Sequence, residues 1–323
     1  MTPDTRITVV MITRNRAQEA VHAVGRLLAL PERPAVIVVD NGSSDGTPEA
    51  LRDRHPAVDI VEAGRNLGCA GRNLGVRRAR TPFVAFADDD SSWAPGALSL
   101  AADLLDRHSD LALVCARILV GPEEREDPVS TVMAASPLPN PPGRPGRPLL
   151  GFVAMASMVR RSPFLAAGGF EGRMLVGGEE DLLALDLAAA GWGLAYAPEV
   201  AVYHHPSPQR DPAGRRRVLA RNALWVAWMR LPADLALRRT ARVLRSAAID
   251  PAVRQGVGEA VRALPWALRS RRRLAPPVRD GLRLLEPHAA WTRRPRRGRQ
   301  PDVIPGDTPE TQGRPAPFRF PCS

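Results

Sequence analysis

Runs of consecutive apolar residues alternate with amphipathic segments along the first two hundred residues. Residues 7–12, 35–39 and 83–87 are almost entirely apolar, and the first two runs are rich in Val and Ile. Such runs are typical of strands that are buried on both faces, as in a parallel sheet. Residues 17–30 instead carry apolar side chains at helical spacing. The pattern predicts an α/β fold, a Rossmann-like doubly wound and mostly parallel sheet flanked by helices.

Four further apolar runs continue the strand pattern, at residues 58–61, 111–120, 149–159 and 194–203. Helices are expected between them, and one of these should open near Trp93. A different kind of segment covers residues 121–148, which hold eight prolines and show no apolar periodicity. Because long loops of this kind are functional or disordered, we expect a mobile loop over the ligand-binding edge of the sheet.

The last third of the chain predicts helices rather than strands. Residues 215–230 and 251–269 carry apolar stripes at helical spacing, and Pro265 should kink the second helix. Asp234 and Asp250 resemble helix N-caps. We therefore expect a helical extension to follow the sheet domain.

The charge of the chain is concentrated in this extension. The whole chain has a formal net charge of +11 and contains no lysine, and residues 207–300 hold 23 Arg against 6 acidic residues. Such a basic stretch indicates helices packed with a solvated Arg face, contact with an anionic membrane, or, least favoured, nucleic acid. We predict a sheet domain at residues 1–210, an Arg-rich helical extension at 211–292 and a disordered tail at 293–323.

Compartment and redox state are suggested by what the sequence omits. Its three cysteines are far apart, which favours neither a disulfide framework nor a structural zinc site. The first residues lead into a strand without a signal-peptide core, and no stretch of 18 apolar residues occurs. We expect a cytoplasmic protein, with membrane association at the cytoplasmic face as the variant that the basic extension suggests.

Three consecutive carboxylates, Asp88, Asp89 and Asp90, follow the apolar run at 83–87. The carboxyl ends of strands in open α/β sheets are where ligands bind. Adjacent carboxylates repel one another, and Mg²⁺ or Mn²⁺ relieves that repulsion through oxygen ligands shared with substrate phosphates. A helix cap at Asp90 and Ser91 is the alternative. From these residues alone, metal and cap are equally favoured.

Other strand ends carry polar residues as well. Asp40 opens a turn-rich segment that could bind a nucleobase or ribose, although an ordinary turn capped by Asp45 or Thr47 is favoured by residue type. Residues 66–75 place glycines, Arg72 and Asn73 near a helix N-terminus, which suits a diphosphate or, alternatively, close helix–sheet packing.

A second acidic cluster and a histidine pair complete the set of candidates. Glu180 and Asp181 follow two glycines at the start of a predicted helix, where acids also simply complement the helix dipole. His204 and His205 end the last predicted strand, where a metal ligand is plausible.

Taken together, these segments resemble the inverting glycosyltransferases of family 2, which have the GT-A fold. The resemblance covers residues 6–210. Its matching stretches are residues 9–16, 38–47, 66–75 and 86–90, then Glu180-Asp181 followed by Gly191-Trp192 and Tyr203-His204.

The resemblance implies how a nucleotide-sugar donor is bound. Thr13 and Arg16 would contact the nucleotide, and Asp40 would bind the base. Arg72 and Asn73 would lie at the donor diphosphate.

The resemblance also identifies the Asp triplet with the DXD motif of the family. Asp88 and Asp89 would contact the donor, with Asp88 near the ribose. Asp90 would bind Mg²⁺ or Mn²⁺, together with His204 or, as the alternative, His205.

The general base is implied by the second acidic cluster, with Asp181 as the base and Glu180 beside it. The family often has a further Asp two positions on, where this chain has Leu183. The choice between Glu180 and Asp181 therefore stays open.

The expected reaction moves a sugar from a nucleoside diphosphate to an acceptor hydroxyl, with inversion by single displacement. The acceptor would be lipid-linked or a polysaccharide. One alternative is a sugar-nucleotide nucleotidyltransferase, although residues 13–16 lack the glycine-rich phosphate loop of that class. The other is a non-catalytic polyanion-binding protein, which would leave the acidic clusters without a purpose.

Overall fold

The computed structural model describes residues 3–206 and 211–286. Twelve α-helices, two short 3₁₀ helices (Gly68–Gly71 and Ala154–Ala156) and ten strands lie in these ranges. The strands are β1 (Ile7–Thr13), β2 (Ala35–Asp40), β3 (Asp59–Glu62), β4 (Phe83–Asp88), β5 (Ser91–Trp93), β6 (Leu111–Val120), β7 (Arg125–Glu126), β8 (Arg147–Pro148), β9 (Ser157–Arg160) and β10 (Gly193–His204).

The helices divide between the sheet domain and the extension. Those of the sheet domain are α1 (Ala17–Leu28), α2 (Thr47–Arg54), α3 (Arg72–Arg78), α4 (Ala97–Arg107), α5 (Pro128–Ala134), α6 (Arg161–Ala166) and α7 (Glu179–Ala189). Those of the extension are α8 (Pro212–Arg230), α9 (Ala233–Ile249), α10 (Pro251–Arg262), α11 (Leu264–Arg269) and α12 (Pro276–Leu285).

All ten strands belong to one mixed sheet, with the order β3-β2-β1-β4-β9-β6-β10-β5 and with β7 and β8 pairing to β6 and β10. The pairs β1–β2, β1–β4, β2–β3 and β6–β10 are parallel, whereas β9 runs antiparallel between β4 and β6. The predicted α/β class with a mostly parallel sheet is confirmed.

Each face of the sheet has its own apolar core. Val9, Met11 and Val38 contribute to one core, whereas the alternate positions Val10 and Val39 contribute to the other. This alternation explains the unbroken apolar runs, because both faces of these strands are covered.

The extension packs on the sheet domain through a third apolar cluster, in which α7 residues such as Leu182 and Leu185 meet Leu224 and Trp225 of α8. Beside it, Asp186 of α7 accepts hydrogen bonds from Nε of Arg230 at 2.5 Å and from Nη2 at 2.9 Å. Both side chains of this bidentate ion pair are largely buried. The solvated Arg face predicted for the extension is therefore accompanied by a substantial apolar contact.

Several predicted elements need correction. The apolar run at 149–159 contains a strand only at its end, where β9 (Ser157–Arg160) begins, because Leu149 and Phe152 are buried as core side chains outside any strand. Ser91–Trp93 is a strand paired to β10, and the next helix starts at Ala97 after Gly96, whose φ is +83°. The helix-cap interpretation of Asp90 and Ser91 is therefore wrong.

The proline-rich segment at 121–148 is not irregular throughout. It contains β7, β8 and the helix α5, which is capped by Asp127 through a hydrogen bond to the amide of Val129. Its predicted mobility stays a prediction. Within the extension, Asp250 caps α10 as expected, whereas Asp234 lies inside the first turn of α9. The predicted disordered tail at 293–323 lies outside the described residues.

The helical run predicted at 251–269 is divided at Ala263 into α10 and α11, consistent with the break expected near Pro265. No helix of the described ranges is both long enough and apolar enough to cross a membrane.

Candidate active site

The parallel strands bring the predicted donor-binding residues to one edge of the sheet. Thr13 at the end of β1 pairs in register with Asp40 at the end of β2, and Ile12 pairs with Asp88 at the end of β4. Because these three strands run in the same direction, their carboxyl ends meet. This edge is where ligands bind in open α/β sheets.

Asp89 is the buried member of the Asp triplet. It accepts a hydrogen bond from Thr13 Oγ1 at 2.9 Å and one from Arg16 Nη1 at 2.7 Å. Burial raises the pKa of Asp89 to about 6, although the positive charge of Arg16 opposes that shift. Thr13, Arg16 and Asp89 thus form a polar unit that holds the loop after β4 against the loop after β1.

Asp90 and His204 face each other across the β5–β10 pair. His204 lies opposite Ser91, and the backbone amide of His205 donates to the carbonyl oxygen of Asp90 at 2.8 Å. Nε2 of His204 is 3.7 Å from Oδ1 of Asp90. His204 is half-buried and its Nδ1 has no hydrogen-bond partner, whereas His205 is exposed. Of the two histidines, His204 is the one that shares a site with Asp90.

The spacing of this pair fits a shared cation. Two ligands that each lie about 2.1 Å from one ion are themselves about 3–4 Å apart. The described ranges contain no group of three or more His, Cys, Asp or Glu side chains arranged to hold a metal. An ion bound by Asp90 and His204 would therefore take its remaining ligands from substrate phosphates or water, as Mg²⁺ often does.

Asp40 is buried at the end of β2 and holds the loop that follows. It accepts hydrogen bonds from both the amide and the hydroxyl of Ser43, the former at 2.9 Å. The same Ser43 hydroxyl oxygen accepts from the amide of Asn15, a residue with φ of +52°. Sequence reasoning assigned no role to Asn15, although Asn tolerates a left-handed backbone better than most residues do.

Asn41 is a second residue that the sequence did not single out. Its Nδ2 donates to the carbonyl oxygen of Gly68 at 3.1 Å, and its Oδ1 would lie 2.6 Å from a Cβ at Gly71. The glycine segment before α3 is thus packed directly on the loop after β2. For Gly71, close packing is the observed reason for a glycine.

Arg72 lies beneath the site, with 2% of its surface exposed. One Nη donates to Asp88, while its Nε and other Nη have no hydrogen-bond partner. Burial opposes the charge, but Asp88, then Cys69, Glu180 and Glu179 outweigh it and raise the pKa of Arg72. The guanidinium therefore bonds directly to Asp88 alone, and it acts on the glutamates at the start of α7 through its charge.

Asn73 is bonded to the backbone at both ends of its amide. Its Nδ2 donates to the carbonyl oxygen of Phe170 at 2.8 Å, and its Oδ1 accepts from the amide of Phe170 at 2.9 Å. Contact of Arg72 and Asn73 with a donor diphosphate stays a prediction. Their observed partners give both residues a role in organising the site.

The α7 helix opens with three carboxylates that face different neighbours. Glu179 is buried, and burial raises its pKa. Glu180 accepts a hydrogen bond from the amide of Ala154 at 2.6 Å. Burial, then the charge of Glu179, raises the pKa of Glu180 to about 8. Sequence reasoning left Glu179 without a role, although the two preceding glycines mark the whole cluster.

Asp181 has a further charged neighbour in the extension. Burial raises its pKa, and the charge that opposes the shift is Arg239 of α9. Because the three side chains are successive in a helix, they project about 100° apart. The charge of Arg72 therefore acts on Glu179 and Glu180, whereas the charge of Arg239 acts on Asp181.

Comparison with known proteins identifies the family of this chain. The family model described as "Glycosyl transferase family 2" matches residues 8–166. An N-acetylglucosaminyl-diphospho-decaprenol L-rhamnosyltransferase of Mycobacterium tuberculosis is 30% identical over 248 residues, which are 64% of this chain and 79% of that protein. The chain belongs to glycosyltransferase family 2.

This family 2 glycosyltransferase has further relatives. A pre-mycofactocin glycosyltransferase of the same organism is 33% identical over 223 residues, 65% of this chain and 45% of that protein. The solved structure of a mannosyltransferase from Pyrobaculum calidifontis, in complex with GDP-Man and Mn²⁺, superposes with a TM-score of 0.54 at 22% identity, covering 90% of this chain and 77% of that one. The GT-A fold is thereby confirmed.

We predict that Arg72→Met destabilises the folded enzyme by about 1–3 kcal/mol, because it removes the hydrogen-bonded cation beside Asp88, a carboxylate that is one-third exposed. Urea unfolding followed by circular dichroism measures the effect. The double substitution Arg72→Met with Asp88→Asn should recover part of the loss. If Arg72→Met unfolds at the same urea concentration as the wild type, the Arg72–Asp88 ion pair does not stabilise the fold.

Proposed function

We propose that this enzyme transfers a sugar, with inversion and in a metal-dependent manner, from a nucleoside-diphosphate donor to an acceptor hydroxyl. The observation that carries the proposal is one connected arrangement. Asp90 lies 3.7 Å from His204 at the end of the Asp triplet. Asp88 of the same triplet pairs with the buried Arg72, whose charge also acts on the glutamates of α7. A donor site and a carboxylate base are what a single displacement requires.

The nucleotide would bind at the loops after β1 and β2. Asp40 lies there as acceptor for the base, and Thr13 and Arg16 lie beside it at the Asp triplet. Arg16 approaches Asp89 at 2.7 Å and Asp90 at 3.9 Å. A guanidinium at this point can also contact donor phosphates, since its donors are arranged as a fork. Asp88, one-third exposed, remains accessible for the ribose.

Asp90 and His204 would hold the divalent ion, and a donor diphosphate would complete its coordination. Mg²⁺ or Mn²⁺ bound there would offset the negative charge that develops on the departing nucleoside diphosphate. Mn²⁺ accompanies GDP-Man in the similar mannosyltransferase structure. Thr13 and Arg16 hold the neighbouring Asp89, which fixes the loop from which Asp90 projects.

For the general base we propose Glu180, with Asp181 as the alternative. Glu180 lies near Arg72, on the side of the donor site, and its raised pKa makes it a stronger base than an ordinary carboxylate. Its carboxylate would take the proton of the acceptor hydroxyl as that oxygen attacks the anomeric carbon. One attack from the face opposite the leaving group inverts the configuration.

The acceptor is proposed from the relative of known activity. The rhamnosyltransferase of Mycobacterium tuberculosis is named for adding L-rhamnose to N-acetylglucosaminyl-diphospho-decaprenol. We propose a lipid-linked acceptor of this class for the present enzyme, with a polysaccharide hydroxyl as the alternative. Because the chain belongs to a glycosyltransferase family, we set aside both alternatives, the nucleotidyltransferase and the polyanion-binding protein.

A lipid-linked acceptor would require contact with a membrane, and α9 is suited to it. Leu237, Ala241, Leu244 and Ala248 form one exposed apolar stripe along this helix, with Leu237 58% and Leu244 49% exposed. Residues 211–286 hold 17 Arg against 6 acidic residues. A basic surface with an exposed apolar stripe binds anionic bilayers. We propose peripheral contact of α9 with an anionic membrane surface at the cytoplasmic face.

The donor site is tested by calorimetric titration with UDP, GDP and dTDP, each with Mn²⁺ and with a chelator. One nucleotide should bind in a manner that requires Mn²⁺. Asp90→Ala and His204→Ala should each weaken that binding about tenfold or more, because each removes a metal ligand. His205→Ala is the matched control and should bind normally. A folded wild-type protein that binds none of the three nucleotides would refute the donor site.

The base is tested by Glu180→Gln, which should lower kcat by about 10²–10⁴-fold without weakening nucleotide binding. Asp181→Asn should lower kcat less than Glu180→Gln does. Because Glu180 must be deprotonated, kcat/KM of the wild type should fall as the pH drops below about 8. Release of nucleoside diphosphate is measured with N-acetylglucosaminyl-diphospho-decaprenol as the acceptor. A larger loss in Asp181→Asn would reverse the assignment.

Membrane contact is tested by flotation with phosphatidylglycerol vesicles, with phosphatidylcholine vesicles as the neutral reference. Leu237→Ser with Leu244→Ser should reduce binding to phosphatidylglycerol about tenfold, since two exposed apolar side chains are lost. Leu28→Ser, on an exposed site of α1, is the matched control. Equal binding to both kinds of vesicle, unchanged by the double substitution, would count against the proposal.

A further inference from the structure

The turn that leads into the acidic cluster has an unusual backbone. Leu175 has φ of +61°, and Gly177 and Gly178 have φ of +77° and +93°. Glu179 follows directly as the first residue of α7. A left-handed backbone at Leu is costly for an L-residue, so its surroundings must hold it in place. The turn at 174–178 therefore depends on external contacts.

One contact comes from the donor side. The amide of Cys69 donates to the carbonyl oxygen of Leu175 at 2.6 Å. A Cβ at Gly68 would lie 2.1 Å from that same oxygen. The segment before α3, which carries Arg72, is thus pressed against the turn with no room for a side chain at Gly68.

The opposite contact comes from α8 of the extension. Asn222 has no exposed surface. Its Nδ2 donates its two hydrogens to the carbonyl oxygens of Met174 at 2.8 Å, Val176 at 3.2 Å and Gly177 at 2.5 Å, so that one hydrogen is shared between two acceptors. The neighbouring Arg221 donates to the carbonyl oxygen of Met174 as well, at 3.2 Å. The polar groups of the turn are therefore satisfied by α8.

The glycines of the turn make this approach possible. A Cβ at Gly177 would lie 2.2 Å from Cδ2 of Leu219, and one at Gly178 would lie 3.1 Å from Cβ of Asn222. Both positions thus need glycine for two reasons, their positive φ and the proximity of α8. The paired glycines before the acidic cluster serve contact with the extension.

We propose that Asn222 is a positioning residue for the catalytic carboxylate, so that the extension is part of the active site. The proposal rests on the proposed function of Glu180 as base. An amide nitrogen is suited to this role, because it donates to backbone carbonyls without adding a buried charge. By fixing the turn, Asn222 sets where α7 begins and hence where Glu180 lies relative to the donor site.

General packing of the extension is maintained by other groups. The Arg230–Asp186 ion pair joins α8 to α7 two turns beyond Glu179, and Leu224 and Trp225 pack in the same apolar cluster as Leu182. Loss of the Asn222 amide should therefore loosen the turn while the two helices stay packed. This separation makes a positioning role measurable.

Hydrogen–deuterium exchange of the full chain measures how often the turn opens, and it requires no substrate. Two variants are compared, Asn222→Ala and Asn222→Asp, of which the second is close in size but presents acceptors to the three carbonyl oxygens. In both variants, peptides covering residues 173–181 should exchange on the order of tenfold faster. Peptides from β1 and β4 should be unchanged. Thr240→Val is the matched control, because it removes the hydrogen bond from Trp228 of α8 without touching the turn. Unchanged exchange at 173–181 in both Asn222 variants would overturn the proposal.

Kinetics then separate positioning from a merely structural role. With GDP-mannose, UDP-glucose and dTDP-rhamnose as donors, the Asn222 variants should lose about 10- to 100-fold in kcat, because small displacements of catalytic groups are costly. The KM for the donor and the affinity for its nucleoside diphosphate should stay within about threefold, and Thr240→Val should keep its kcat. Equal losses in kcat and donor affinity would also overturn the proposal. If the wild type transfers no sugar from any of these donors, the proposed transfer from them fails. The exchange result still decides whether Asn222 holds the turn.

Discussion

A buried cation among carboxylates is the constraint on which this site depends. Asp88, Glu179 and Glu180 belong to distant parts of the chain, and each of them acts on the charge of Arg72. Carboxylates in a poorly solvated region repel one another unless a positive charge is shared among them. Arg72 is placed for this task by α3, whose preceding glycines let it lie close to the loop after β2. Carboxylates of the Asp triplet and of α7 thus share the influence of one guanidinium.

A second cation repeats this principle nearer to the surface. Arg16 pairs with Asp89, and its charge opposes the rise in the pKa of Asp89 that burial causes. The two arginines divide the Asp triplet between them, because Arg72 takes Asp88 and Arg16 takes Asp89. Asp90 lies 3.7 Å from His204 and 3.9 Å from Arg16. The order of the three aspartates therefore matters as well as their number.

Much of the sheet could be predicted from the sequence, because its signals are local. Unbroken apolar runs at 7–12 and 35–39 identify buried strands, and their polar ends, Thr13 and Asp40, identify the binding edge. The run at 149–159 misled because buried apolar side chains do not need a strand. Roles set by tertiary contacts could not be predicted. Both polar atoms of the Asn73 side chain bond to the backbone of Phe170. The acidic residues of α7 differ in the cation that acts on them, which is Arg72 for Glu179 and Glu180 and Arg239 for Asp181. Asn222 showed no local pattern at all, since its three partners lie almost fifty residues away.

The brevity of the connection between β4 and β5 has an energetic consequence. Just Asp89 and Asp90 separate the two strands, and β5 is paired with β10 on its other side. Cooperative folding of the sheet therefore fixes the backbone of Asp90 before any ligand arrives. A ligand that binds to a preordered group loses less conformational entropy than one that must order a loop. Selectivity at this end of the site then comes from the fit of the incoming group rather than from a change in the protein backbone.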